Sequence, residues 1–182
     1  MNTAALKFAV RLVFAFVLLM GAFEASRGTA FERFVVERLI LTPTTAVINM
    51  VTPDAHVALL GRTLTTPNGL SLRVTRGCEG IEMFLLLAAA VLAFPATTRR
   101  RIRGLLLGSL LAYILSVVRL TALYDVLRYE PNLWEALHGV ILPLGPVMLL
   151  SIYFLFWSSS ADHHLATGLA LQSSPPPDQH AA

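Results

Sequence analysis

Four apolar runs, at roughly residues 8 to 23, 80 to 96, 104 to 124 and 139 to 157, punctuate the chain, with charges, prolines or aromatics at their ends. Each is near the length a helix needs to cross a hydrocarbon layer of about 30 Å. Between the first two the pattern changes. Along Phe31 to Leu41, Arg33 and Arg38 alternate with Glu32 and Glu37, which predicts an amphipathic helix resting on a membrane surface. Residues 34 to 51 are also long enough for a fifth, imperfect span, which would bury Glu37 and Arg38 at a cost. Pro43 can open a short helix that stops at Pro53. Further on, Leu70, Leu72 and Val74 alternate with Ser71, Arg73 and Thr75 as in a strand. Thr66-Pro67-Asn68-Gly69 is a turn between that strand and an earlier candidate at His56 to Leu60.

Composition sharpens this picture. A chain of 182 residues, 55% apolar and only 14% charged, with mean hydropathy +0.67, is too apolar for a water-soluble domain. The fold class predicted is an all-α polytopic membrane protein, four to five transmembrane helices with a small extracytoplasmic β-hairpin. No large soluble catalytic domain fits. The formal charge of +3 does not point to nucleic acid, because the arginines mostly flank apolar runs and there orient the chain in the lipid bilayer.

The tight cationic loop Thr97-Thr98-Arg99-Arg100-Arg101-Ile102-Arg103 belongs in the cytoplasm by the positive-inside rule. That places residues 24 to 79 and 125 to 138 outside. Residues 1–25 then read as an N-terminal membrane anchor. The run follows Lys7 and Arg11 as a signal peptide would, but Phe23 and Glu24 spoil the registers for a small-x-small cleavage site. Residues 26–77 form an extracytoplasmic segment of amphipathic helix and hairpin, and residues 78–157 a three-helix membrane core. Residues 158–182, rich in Ser, Ala, Pro and His, are expected to be a disordered cytoplasmic tail.

The single cysteine, Cys78, excludes an intramolecular disulfide or a four-cysteine metal site. With the inner helix ends at Pro95, Gly104 and Trp157, the rise of ~1.5 Å per residue puts Cys78, Arg119 and His138 about 26, 22 and 28 Å above that boundary. Three helices thus bring a thiol, a guanidinium and an imidazole to one layer. Each has an ordinary structural role available: a buried cysteine, an arginine snorkelling to headgroups, an interfacial histidine beside Trp134. Against those stand Gly77 and Gly80, which permit close backbone approach, and the position of Cys78 at a helix N-terminus, which favours thiolate. Glu79 and Glu82 oppose a second negative charge, so a nearby cation is needed. Glu135, three residues before His138, is placed to orient the imidazole. A single Glu-x-x-His is too little for a di-iron bundle, so neither metal nor small-molecule cofactor is expected. Thiolate, oxyanion donor and imidazole are together the parts of cysteine acyl transfer.

Gly77-Cys78-Glu79-Gly80-Ile81-Glu82, the Arg119 segment one span later and His138 opening the last span resemble the exosortase/archaeosortase family of membrane-embedded cysteine transpeptidase-like proteases. The likeness covers about residues 43 to 157. It implies an inner-membrane enzyme, active on the extracytoplasmic side, that removes PEP-CTERM-like C-terminal sorting helices from secreted proteins. By that resemblance Cys78 is the nucleophile, His138 the acid/base and Arg119 the electrostatic stabiliser. Family members commonly carry a small or hydroxyl residue after the cysteine and an asparagine three before the arginine, where this chain has Glu79 and Ser116. The alternative function is a non-enzymatic membrane assembly subunit with a structural cysteine.

Overall fold

The computed structural model describes residues 3–75 and 77–172. Within them the chain forms five helices and one small sheet. Helix α1 spans Thr3–Ala25, α2 Ala30–Val51, α3 Ile81–Ala93 and α4 Thr98–Tyr129. Helix α5, residues 134–172, follows a 3₁₀ turn at Pro131–Leu133. Four of these are long and apolar enough to cross a membrane: Ala5–Ala25, Ala30–Val51, Thr98–Tyr129 and Pro131–Ser159.

The surface helix expected over Phe31 to Leu41 and the short helix expected to open at Pro43 are one continuous element. Proline has no N–H to close a normal helical turn. Here the turn widens instead: Phe34–Leu41 is π-helical, and the Thr42 N–H donates to the Glu37 carbonyl five residues back. The same device recurs ahead of Pro143, where Leu137–Ile141 is π-helical and the Leu142 N–H donates to the Leu137 carbonyl. Conversely, the run expected to span from 80 to 96 gives the shorter α3, about 20 Å long at ~1.5 Å per residue. It stops because Pro95 forces Phe94 into extended backbone, ψ 136°. The proline-free residues 158–172 continue α5 into the tail expected to be disordered, and residues 173–182 lie outside the described residues.

Helix α3 is covered by its neighbours on most of its surface, with Ile81, Met83, Leu85, Leu87, Ala88, Ala89, Val91 and Ala93 buried and Phe84, Leu86 and Leu92 exposed. Glycines let α4 approach both α3 and α5. A Cβ on Gly108 would stand 2.6 Å from the Leu87 side chain and 2.9 Å from Tyr153, and one on Gly104 2.5 Å from Trp157. In hydrocarbon, where apolar burial gives no drive for helix association, such close backbone packing does.

The expected hairpin is a three-stranded antiparallel sheet, β1 Ala58–Leu60, β2 Thr63–Thr65 and β3 Ser71–Arg73. Strand β2 is central, pairing Leu59 with Leu64 and Leu64 with Leu72. The additional strand arises because Gly61, at φ +59°, turns the chain within two residues. The Thr66–Gly69 turn therefore joins β2 to β3 rather than β1 to β3. Leu64, Leu72 and Val74 face inward and share a core with Val36, Leu41 and Ile48 of α2 and Leu120, Leu123 and Tyr124 of α4. Asn49 fastens sheet to helix: its Nδ2 donates to the Val57 carbonyl at 2.9 Å, and its Oδ1 accepts from the Val57 N–H at 2.8 Å.

Asn49→Ala removes both bonds and strands two backbone groups of a buried residue, a loss of about 1–3 kcal/mol. The expected outcome is a lower thermal midpoint for the detergent-solubilised protein, with Asn49→Asp, which keeps the acceptor, falling between; an unchanged midpoint in Asn49→Ala contradicts the assignment.

Candidate functional site

Cys78 lies in the tight link from β3 to α3, where the Cys78 N–H donates to the Thr75 carbonyl at 3.2 Å. Gly77 and Gly80 flank it at φ +82° and +81°, a conformation strongly disfavoured for an L-residue with a side chain. Gly80 also lies flat against α4, because a Cβ there would stand 2.2 Å from Ser116 Oγ. The Ser116 hydroxyl is occupied, donating to Ala112 O at 2.9 Å. Two glycines and one small hydroxyl residue thus let a non-helical loop sit among helices.

Arg119, one helical turn beyond Ser116 on α4, holds this loop from behind. Its Nη1 donates to the Gly77 carbonyl at 3.1 Å, and the residue is only 6% exposed. A half-buried carbonyl gains from a protein donor, and a buried guanidinium needs acceptors. The geometry satisfies the first and part of the second; Arg119 Nε has no hydrogen-bond partner among the described residues.

In front of the loop, Cys78 Sγ and His138 Nε2 are 3.2 Å apart, and the Thr75 hydroxyl lies 3.7 Å from the sulfur. His138 sits in the π-helical turn of α5, and its ring stacks on Trp134 at 5.0 Å between centroids and 6° between planes. Trp134 is one turn earlier on the same face, so the tryptophan fixes the ring plane. Glu135 is exposed, and no carboxylate among the described residues hydrogen-bonds the imidazole. Orientation comes from stacking, where sequence spacing points to Glu135. Thiol and imidazole share a cavity of about 230 Å³. Its wall is the Leu72–Thr75 strand segment together with Leu120, Leu123 and Trp134.

Glu79, immediately after the cysteine, turns to the opposite side of the loop. It is buried, and Arg62 from the β1–β2 turn donates to its Oε1 through Nη1 at 2.9 Å. The second Nη of Arg62 donates to Glu32 of α2 at 2.5 Å. Burial pushes the Glu79 carboxyl above the usual carboxylate range, the Arg62 charge pulls it back, and Glu82 and Glu32 add to the rise. Sequence alone marks Glu79 as a liability needing a cation but not which one. Arg62 lies 17 residues from Glu79 and 30 from Glu32, so no spacing rule connects them.

The structure therefore brings together the predicted thiol and imidazole directly and the predicted guanidinium through the peptide that precedes the thiol. Thr75 and Trp134 complete the immediate surroundings. Comparison with protein-family models, with curated proteins and with solved structures finds no match for this chain.

Gly80→Ala is expected to lower the thermal midpoint far more than Gly28→Ala. Gly28 also has a positive φ, +75°, but nothing lies within 4 Å of where its Cβ would stand; it incurs only the backbone penalty of about 1–3 kcal/mol. Equal losses in the two variants would show that the close seat on Ser116 is not formed.

Proposed function

We propose that the protein is a membrane-embedded cysteine protease or transpeptidase that removes C-terminal sorting helices from secreted proteins, with Cys78 as nucleophile and His138 as acid/base. The observation that carries the reading is the 3.2 Å contact between Sγ and Nε2 inside a cavity walled by a strand. Thiol and imidazole at hydrogen-bond distance, with the ring held by a third group, are the working parts of an activated nucleophile.

In this reading Nε2 takes the thiol proton, and the thiolate attacks the carbonyl carbon of the scissile amide. A C–S bond forms, and the oxyanion collapses to break the C–N bond as the imidazolium gives its proton to the departing amine. The thioester is then opened by water or by an acceptor amine. Arg119, anchored on the Gly77 carbonyl, fixes the loop and supplies positive charge one peptide from the sulfur. Strand β3 is at the edge of its sheet, and its continuation borders the cavity. An extended segment that adds to this edge is delivered to Cys78, while its following helix lies in the bilayer against the four long helices. The expected cationic loop is instead mostly the first turns of α4, and the active site faces the extracytoplasmic side because Arg119 lies more than four helical turns beyond that Arg99–Arg103 cluster.

The competing reading, a non-enzymatic assembly subunit, draws on the low exposure of Cys78, 8%, and on Arg119 being engaged with backbone rather than with the sulfur. A single experiment separates the two. With a co-expressed secreted reporter ending in a recognition motif, an apolar helix and basic residues, the wild-type chain is expected to release the tail. Cys78→Ala abolishes release at equal protein level, and His138→Ala slows it by roughly 10²–10⁴-fold, the usual worth of a general acid/base. Full processing by Cys78→Ala removes the nucleophile assignment and leaves the assembly subunit.

A further inference from the structure

Arg62 joins three pieces of the molecule that meet at the cysteine loop. Its backbone carbonyl accepts from the Val74 N–H at 2.9 Å, which pins the strand segment that walls the Cys78–His138 cavity. Its Nη1 holds Glu79, the residue after Cys78, and its Nη2 holds Glu32 on α2. Glu32 is itself set in place, because its Oε2 accepts from the Gly28 N–H at 2.7 Å and the Thr29 hydroxyl accepts from the Glu32 N–H. Only about a quarter of the Arg62 side chain is exposed, 28%, and the two carboxylates are more enclosed, at 11% and 7%. Screening by water is correspondingly incomplete.

We propose that Arg62 is the positioning residue of this site. By bridging Glu32 and Glu79 it seats the cysteine loop against the sheet and cancels a carboxylate that would otherwise stand one peptide from the reacting sulfur. This deepens the protease reading and rests on it for the role of Cys78, but the charge relation itself is independent of any substrate.

The charged groups around the two sites give the sign. Glu79 is faced by Arg62, Glu82, Glu32 and Arg27. Among the described residues, Cys78 is faced by His138 across the contact, by Arg73 on the cavity wall and by Arg119 behind Gly77. Glu82 lies on the Gly77 side of the loop, with its carboxylate about 3.9 Å from where a Gly77 Cβ would be. Neutralising Arg62 removes one unit of positive charge and leaves the Glu79 carboxylate uncompensated, which disfavours the thiolate. One unit charge on the far side of the loop, at intermediate dielectric, shifts the midpoint by roughly half a pH unit.

Because Cys78 is the sole cysteine, the rate of its alkylation by iodoacetamide across pH, in the full chain reconstituted in liposomes, reads this thiol alone. Arg62→Gln is expected to move the midpoint of the rate profile up by roughly half a pH unit. Glu79→Gln in the Arg62→Gln background brings it back to the wild-type position. Glu79→Gln alone leaves Arg62 opposed only by Glu32 and moves the midpoint down. The two single variants answer the objection that Arg62→Gln merely unsettles the fold, since both break the same ion pair and only the charge relation moves their midpoints in opposite directions. Coincident midpoints in wild type and Arg62→Gln overturn the proposal, as does a raised midpoint that Glu79→Gln fails to restore. Tail release from the reporter is scored in parallel. A shifted midpoint without release in any variant sinks the protease reading and keeps the Arg62 assignment; release with an unmoved midpoint does the reverse.

Discussion

A half-buried peptide carbonyl turned toward a helix bundle is best satisfied by a donor from the protein, and the Gly77 carbonyl finds Arg119 at 3.1 Å. Much of the molecule follows from that requirement. The chain between β3 and α3 is irregular backbone in a region otherwise filled by helices, and irregular backbone is tolerated there only where protein groups satisfy it. Two positive-φ glycines give the loop its shape, Ser116 leaves room for Gly80, and Arg119 takes the open acceptor. The return on the buried cation is a cysteine fixed within reach of a histidine from a different helix.

The short helix α3 is the consequence of the same arrangement. A loop that returns from the sheet into the bundle uses up residues that a full span would need, and Pro95 closes the other end. What remains, Ile81–Ala93, is buried along most of its length and need not meet lipid by itself. The surrounding long helices solve a second problem with prolines. At Pro43 and Pro143 the missing N–H is absorbed by a π-helical turn. The second of these turns carries His138, so the backbone irregularity and the imidazole occupy the same place on α5.

Depth arithmetic on three helices is enough to group Cys78, Arg119 and His138, because helix rise is nearly constant and a span fixes the origin. The partner of the imidazole is less legible: helical spacing offers both Glu135 and Trp134 to His138, and only the packed structure shows that the ring stacks on Trp134. Contacts between distant segments are not legible. Nothing in the sequence connects Arg62 to Glu32 and Glu79, since the link exists only once the sheet folds back over the end of α2. Strand β2 is hidden for a related reason. Its three residues are bounded by two turns, and only pairing on both sides distinguishes Thr63-Leu64-Thr65 from a loop. For residues 30–51 the sequence leaves two readings, a break at Pro43 or one imperfect span from 34 to 51, because the π turn that carries the helix past the proline has no signature in residue spacing.

The central claim is spatial: the loop held by Arg119 presents Cys78 to His138. Placing a second thiol by His138→Cys and treating the otherwise single-cysteine protein with a short fluorogenic reagent that lights only on joining two thiols measures that proximity directly. The account predicts an intramolecular cross-link in this variant and none with Val140→Cys, which lies two residues on and points elsewhere. Cross-linking at 140 but not at 138, or at neither, would contradict it.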